Sequence, residues 1–207
     1  MPTTKLIIAR HGNTFEKGET PRRVGAKTDL PLTQAGREQG TRIGQYLRDN
    51  DLIPGTLFTS SLQRTIETAY MAMQEAGKTL NMQKLSMFDE VDYGPDENKT
   101  EEEVIARIGE QAIKDWDEHA IAPDGWIVHP EDIKNDWLQF GLDIVNQLEG
   151  QTIMVVTSNG IARFAPYLTG DFESFKKDHN IKLSTGALAY LEHDGERWHI
   201  QKWNVKP

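Results

Sequence analysis

The 207-residue chain contains no cysteine. Disulfides, thiolate nucleophiles and Cys-ligated metals are excluded together, so any covalent chemistry must run through another side chain. No apolar run approaches the roughly 20 residues of a membrane-spanning helix, and no membrane association is expected. The N-terminus enters the apolar stretch Leu6-Ile7-Ile8-Ala9 without a basic leader, a long apolar segment or a small-residue cleavage site, which predicts a cytoplasmic protein. Neither GxxxxGK[ST] nor GxGxxG occurs, so nucleotide-loop folds lack support. The six histidines, His11, His119, His129, His179, His193 and His199, show no zincin spacing and no companion carboxylate motif; neither a metal nor another cofactor is expected. Positive charge is also in deficit. A net charge of -9 would repel the phosphate backbone of a nucleic acid and an anionic membrane surface.

What is present is a chain of a size for one core, read as a single domain over residues 1–207. Lys5 to Ala9 reads as a buried strand, and the Gly-, Pro- and Thr-rich stretch Arg10 to Pro31 as a loop too long to be a mere connector. Thr33 is a plausible N-cap for a helix to Asn50. Leu57 to Thr59 reads as a strand, and Ser60 as the N-cap of a helix to Ala76 that Gly77 stops. A short strand is predicted near Gln83 to Met87. Thr100 and Glu103 form a capping box for a helix to His119, and Pro130 opens another to Glu149. The run TIMVVT at 152–157 is the clearest buried strand; two more, Ala187 to Glu192 and Trp198 to Trp203, flank a turn at Asp194-Gly195. Strands alternating with helices predict an α/β three-layer sandwich with a mainly parallel central sheet.

Such sheets bind ligands at the carboxyl ends of their strands. Unusual polar residues fall there three times: Arg10-His11-Gly12 after the first strand, Ser60 and Arg64 after the second, and Ser158-Asn159-Gly160 after TIMVVT. Arg10, Arg22, Arg23 and Arg64 stand out from an acidic background as a candidate multidentate clamp for a phosphate group, since guanidinium forks match phosphate oxygens where lysines offer only point charges. Gly12 is expected to let the backbone approach an anion.

These segments resemble the histidine phosphatase superfamily, also called phosphoglycerate mutase-like. Its opening RHGxT stands as Arg10-His11-Gly12-Asn13-Thr14; Thr28-Asp29-Leu30-Pro31-Leu32-Thr33 is similar to xDxPLT; Ser60 to Ala69 is similar to SxLxRAxxTA; and Glu90 lies in a similar acidic segment. The resemblance implies the phosphoglycerate mutase-like fold, His11 as the nucleophile that becomes phosphorylated, Arg10 and Arg64 as holders of the phosphoryl oxygens, and Glu90 as proton donor to the leaving oxygen. Those roles suit the residue types. Flanking guanidiniums favour a neutral, nucleophilic imidazole, and a carboxyl beside a phosphate dianion is disfavoured as an anion.

The chain departs from the family pattern at two places. Ser158 stands where the second catalytic histidine belongs and is the catalytic candidate there through its neutral hydroxyl, with Asn159 and Gly160 as further anion partners, and Lys17 stands where an asparagine is common. Asn13, Thr14, Lys17, Arg22, Arg23 and Ser60 complete the expected substrate contacts. Residues 95–130 form an expected substrate-covering insertion, with Trp126 a candidate for the organic part of the substrate and Trp137 and Phe140, beyond it, core residues. The implied activity is hydrolysis of a small-molecule phosphate ester; the alternatives are a mutase-type phosphotransferase and a non-catalytic phosphate binder.

Overall fold

The computed structural model describes residues 2–207. Its six-stranded sheet has the order β3-β2-β4-β1-β5-β6, where β1 is Thr4–Arg10, β2 Thr56–Thr59, β3 Met82–Lys84, β4 Thr152–Thr157, β5 Leu188–His193 and β6 Trp198–Val205. The first four neighbours are parallel, and β5 and β6 are antiparallel additions on the far side of β1. The sheet is therefore mixed, with a parallel half that carries the crossover helices, as the expected three-layer α/β arrangement requires.

Alternation along the central strands explains the layers. Leu6, Ile8, Ile153 and Val155 face one core, while Ile7, Ala9, Met154 and Val156 face the other. TIMVVT lacks polar alternation because both of its faces are covered. On one face lie α1 (Gln34–Asp49) and α2 (Gln63–Glu75), contributing Ile43, Leu47, Ala69, Ala72 and Met73. The other carries α3 (Glu101–His119), α4 (Pro130–Gln147) and α5 (Asn159–Ala162), with α6 (Phe172–Asp178) further along. Its core is aromatic: Phe88 packs edge-on against Phe140, which does the same against Phe58 and Trp137.

Local signals set most of the boundaries. The Thr33 side chain accepts a hydrogen bond from the Gly36 N–H, and Thr100 and Glu103 make the reciprocal capping box that opens α3. Three expectations need correction. Ser60 is not the N-cap of α2, because its hydroxyl accepts from the Leu62 N–H at 3.1 Å and pairs with Thr65 Oγ1 at 2.7 Å, making a turn before the helix begins at Gln63. The strand expected to reach Met87 stops at Lys84, and a 3-10 turn over Ser86–Phe88 then drives Phe88 into the aromatic core. Gly109 interrupts α3 at φ 82° and ψ 157°, a conformation cheap only for glycine. No helix among the described residues is long and apolar enough to cross a membrane.

Candidate active site

The carboxyl ends of β1, β2 and β4 meet on one side of the sheet. His11 N–H donates to the Thr157 carbonyl and Ser60 N–H to Val156, so the three polar strand ends are fixed together by the sheet's own hydrogen-bonding. A cleft of about 320 Å³ opens there, with Arg10, His11, Glu90, Asn159 and Arg163 on its walls. Arg22, Arg23, Tyr93, Trp116, Asp117 and Lys182 extend it outward.

His11 is 6% exposed. Its Nδ1 lies 2.7 Å from the Gly12 carbonyl oxygen, which can only accept, so Nδ1 carries the proton and Nε2 keeps the lone pair. Burial and then the charges of Arg64 and Arg10 push the imidazole pKa well below its ordinary value, against a smaller opposing effect of the Gly12 carbonyl. The ring is therefore neutral at neutral pH.

Arg10 lines the cleft, Arg64 lies buried behind its wall, and both are held from outside it. Arg10 Nη1 donates to the Leu183 carbonyl at 2.8 Å. Arg64, fully buried, donates from Nη1 to Thr28 O at 2.8 Å and from Nη2 to Gly25 O at 3.2 Å. The Nε of each has no partner, and neither has the buried hydroxyl of Ser158. Unpartnered buried donors are costly; those of Arg10 and Arg64, whose charges act on the neutral imidazole, fit a site completed by an anion.

Glu90 is 7% exposed; its carboxylate accepts from the Val91 N–H at 2.9 Å and the Gly160 N–H at 3.3 Å. A side chain at Gly160 would collide with that carboxylate. Gly160 thus serves the site by seating Glu90.

The other expected contacts divide. Arg22, Arg23 and Asn159 line the cleft. Arg23 is paired with Glu101 at 2.6 Å and lies over the rings of Tyr93 and Trp126. Lys17 is exposed and away from the cleft wall, as its place in the surface loop dictates. Ser60 is turned into the α2 entrance, and Asn13 into a latch whose carbonyl accepts from Thr33 and whose side chain bonds Thr185. Thr14 and Ser158 stand near the cleft without forming its wall. Gly12 approaches protein backbone where an anion was expected: a methyl there would strike the Gly36 carbonyl, and its N–H donates to Thr68 Oγ1 at 3.0 Å. Trp126 is buried between Tyr93 and Trp116, with Nε1 on Asp96 at 2.7 Å, so it backs the wall without contacting the cleft.

No motif singles out Asp117 or Lys182, whereas Arg163 ends the strand-end segment Thr157 to Arg163 that resembles the family's late motif. Arg163, 2% exposed, donates from Nη1 to the Trp116 carbonyl at 2.7 Å and lies over the Trp116 ring. Asp117 and Lys182 are ion-paired across the outer cleft. Among the described residues no group of three or more His, Asp or Glu side chains could hold a metal ion.

The model of the histidine phosphatase superfamily (branch 1) matches residues 6–206. A 2,3-bisphosphoglycerate-dependent phosphoglycerate mutase of an Arthrobacter species is 30% identical over 115 residues, covering 55% of this chain and 46% of that protein. The corresponding mutase of Tropheryma whipplei is 26% identical over 177 residues, 76% of this chain and 79% of that protein. The chain thus matches less than half of the first relative's length and most of the second's. In three dimensions, a mycobacterial glucosyl-3-phosphoglycerate phosphatase superposes with a TM-score of 0.79 at 18% identity, over 98% of this chain and 99% of that one. At that identity the likeness concerns the fold.

Proposed function

The chain belongs to the histidine phosphatase superfamily, and from that premise we propose that it is a phosphomonoester hydrolase working through a phosphohistidine on His11. The observation that carries this reading is the buried His11, its Nδ1 proton fixed on Gly12 O and its Nε2 left free, between the guanidiniums of Arg10 and Arg64. In the first step Nε2 attacks phosphorus and the bond to the ester oxygen breaks. Glu90, protonated, gives its proton to that leaving oxygen. In the second step the Glu90 carboxylate takes a proton from water, whose oxygen attacks phosphorus and releases phosphate from His11. Arg10 and Arg64 neutralise charge on the equatorial oxygens, which is the larger share of catalysis in phosphoryl transfer. Glu101, Trp116 and Asp117, all from the 95–130 segment, border the outer cleft, which supports that segment's covering the organic part of the substrate.

The mutase names of the curated relatives favour a second reading, in which the phosphoryl group returns to an organic acceptor. One experiment tests both. Rapid acid quench after mixing with a labelled phosphomonoester should yield label on His11, and none in His11→Ala. Release of the label as inorganic phosphate supports hydrolysis, and its recovery in an organic product supports transfer. Label on any other residue would refute the nucleophile assignment.

A further inference from the structure

Arg64 owes its aim to a carboxylate that does not touch the cleft. The Glu97 side chain gathers four donors: Oε2 accepts from the Gly25 N–H at 3.1 Å and from Thr28 Oγ1 at 2.6 Å, and Oε1 accepts from the Tyr93 N–H at 3.2 Å and the Lys27 N–H at 3.3 Å. The loop 24–28 thereby turns N–H groups toward Glu97. Its carbonyls face the other way: Thr28 O, Gly25 O and Val24 O receive the two terminal nitrogens of Arg64. Gly25 is necessary to this arrangement, since a side chain there would collide with the Glu97 carboxylate and the Val91 carbonyl. The Ala26 N–H also donates to Val91 O at 3.0 Å, tying the loop to the segment that carries Glu90.

The peptide whose N–H Gly25 gives to Glu97 also carries the Val24 carbonyl, which is strengthened as an acceptor for Arg64, while the remaining bonds of Glu97 fix the loop shape that aims the Gly25 and Thr28 carbonyls. With both terminal nitrogens of Arg64 occupied this way, the donor left unpartnered is Nε. We propose that Glu97 is a positioning residue that sets Arg64 through the 24–28 loop, so that Nε is the atom presented to the phosphoryl group. This rests on the assignment of the site as a phosphoryl site, and extends it to a residue outside the cleft.

The test combines a catalytic cycle with a direct view of the guanidinium. Glu97→Gln keeps the shape but only one accepting oxygen; Glu97→Ala removes both. With para-nitrophenyl phosphate as substrate, Glu97→Gln should lower kcat/KM about tenfold to a hundredfold, the scale of a slightly misplaced group. In an Arg64→Met background the same change should have little further effect, because the residue it acts through is gone. Independent losses that multiply in the double variant would overturn the proposal. Alongside, the Arg64 Nε–H resonance of the folded Glu97→Gln protein should move, and move less on adding inorganic phosphate than in wild type. An unchanged Arg64 resonance overturns the proposal whatever the activity. Should wild type prove inactive, the resonance decides the positioning role alone while the hydrolase reading fails separately. If Glu97→Ala does not fold, Glu97→Gln carries the comparison.

Discussion

The nucleophile is defined at the scale of one residue by what surrounds it. His11 is buried beside two cations, so its folded-state pKa lies below the unfolded value of about 6.5. Below that pH the unfolded chain binds a proton that the native ring refuses, and stability therefore falls as pH drops from about 6.5 toward the folded value. Melting temperature against pH should decline more steeply for wild type than for His11→Gln, and the His11 ring should stay neutral by NMR where a free histidine titrates. Parallel curves would contradict this. Ser158 raises a different question at the same scale. Its hydroxyl is buried, unpartnered and set back from the cleft wall. An imidazole there would offer a donor of the kind phosphoryl oxygens accept, while crowding a filled interior at about 1–3 kcal/mol. Ser158→His should raise kcat toward phosphomonoesters and lower the melting temperature; a fall in both turnover and phosphate binding would show that the pocket has no place for the ring.

At the scale of elements, the His11 loop is strapped to two helices. Thr33 N–H donates to Asn13 O at 2.9 Å, Asn13 N–H to Gln39 Oε1 at 2.7 Å and Gly12 N–H to Thr68 Oγ1 at 3.0 Å. Gly36, in the first turn of α1, lies so close that a methyl would meet the Asn13 backbone. Gly36→Ala improves helix propensity by about 1 kcal/mol, yet the collision is with backbone, which yields poorly. The expected result is a net loss of about 1–3 kcal/mol and a lower kcat, because the displaced loop carries His11. Denaturant unfolding and initial rates measure the two; a stabilised variant with full kcat would mean that the loop moves freely over α1. The Thr33 cap and the Thr100–Glu103 box were legible because caps act within four residues. The early end of β3 was not, because the burial of Phe88 against α4 decides it.

For the whole molecule, one buried carboxylate holds the 95–130 segment together from within. Asp96 receives Arg107 Nε at 2.7 Å, a second nitrogen of Arg107, and Trp126 Nε1 at 2.7 Å, while Arg107 also reaches Asp124 O at 2.9 Å. Burial alone would raise the Asp96 pKa, but these donors bring it below the ordinary value. Arg107→Leu leaves that carboxylate short of its charged partner, at a cost of about 1.5–3 kcal/mol. Since α3 also supplies Trp116 and Asp117 to the outer cleft, KM should rise more than kcat falls. Calorimetry and steady-state kinetics check both, and a change confined to kcat would separate α3 from substrate binding.

The sequence by itself determined the strands, most helix ends, the three strand-end motifs and, through them, the family. Each is encoded within a few neighbouring residues, by hydrophobic period, cap chemistry or motif spacing. Tertiary structure alone decided that Asn13 and Ser60 serve as latches, that Lys17 stands away from the cleft, and that Trp126 backs the wall. It also brought Arg163, Asp117 and Lys182 to the cleft and set Glu97 behind Arg64. These partners are separated by tens of residues, and a side chain's hydrogen-bond assignment depends on which donors and acceptors the packed elements bring within about 3 Å of it.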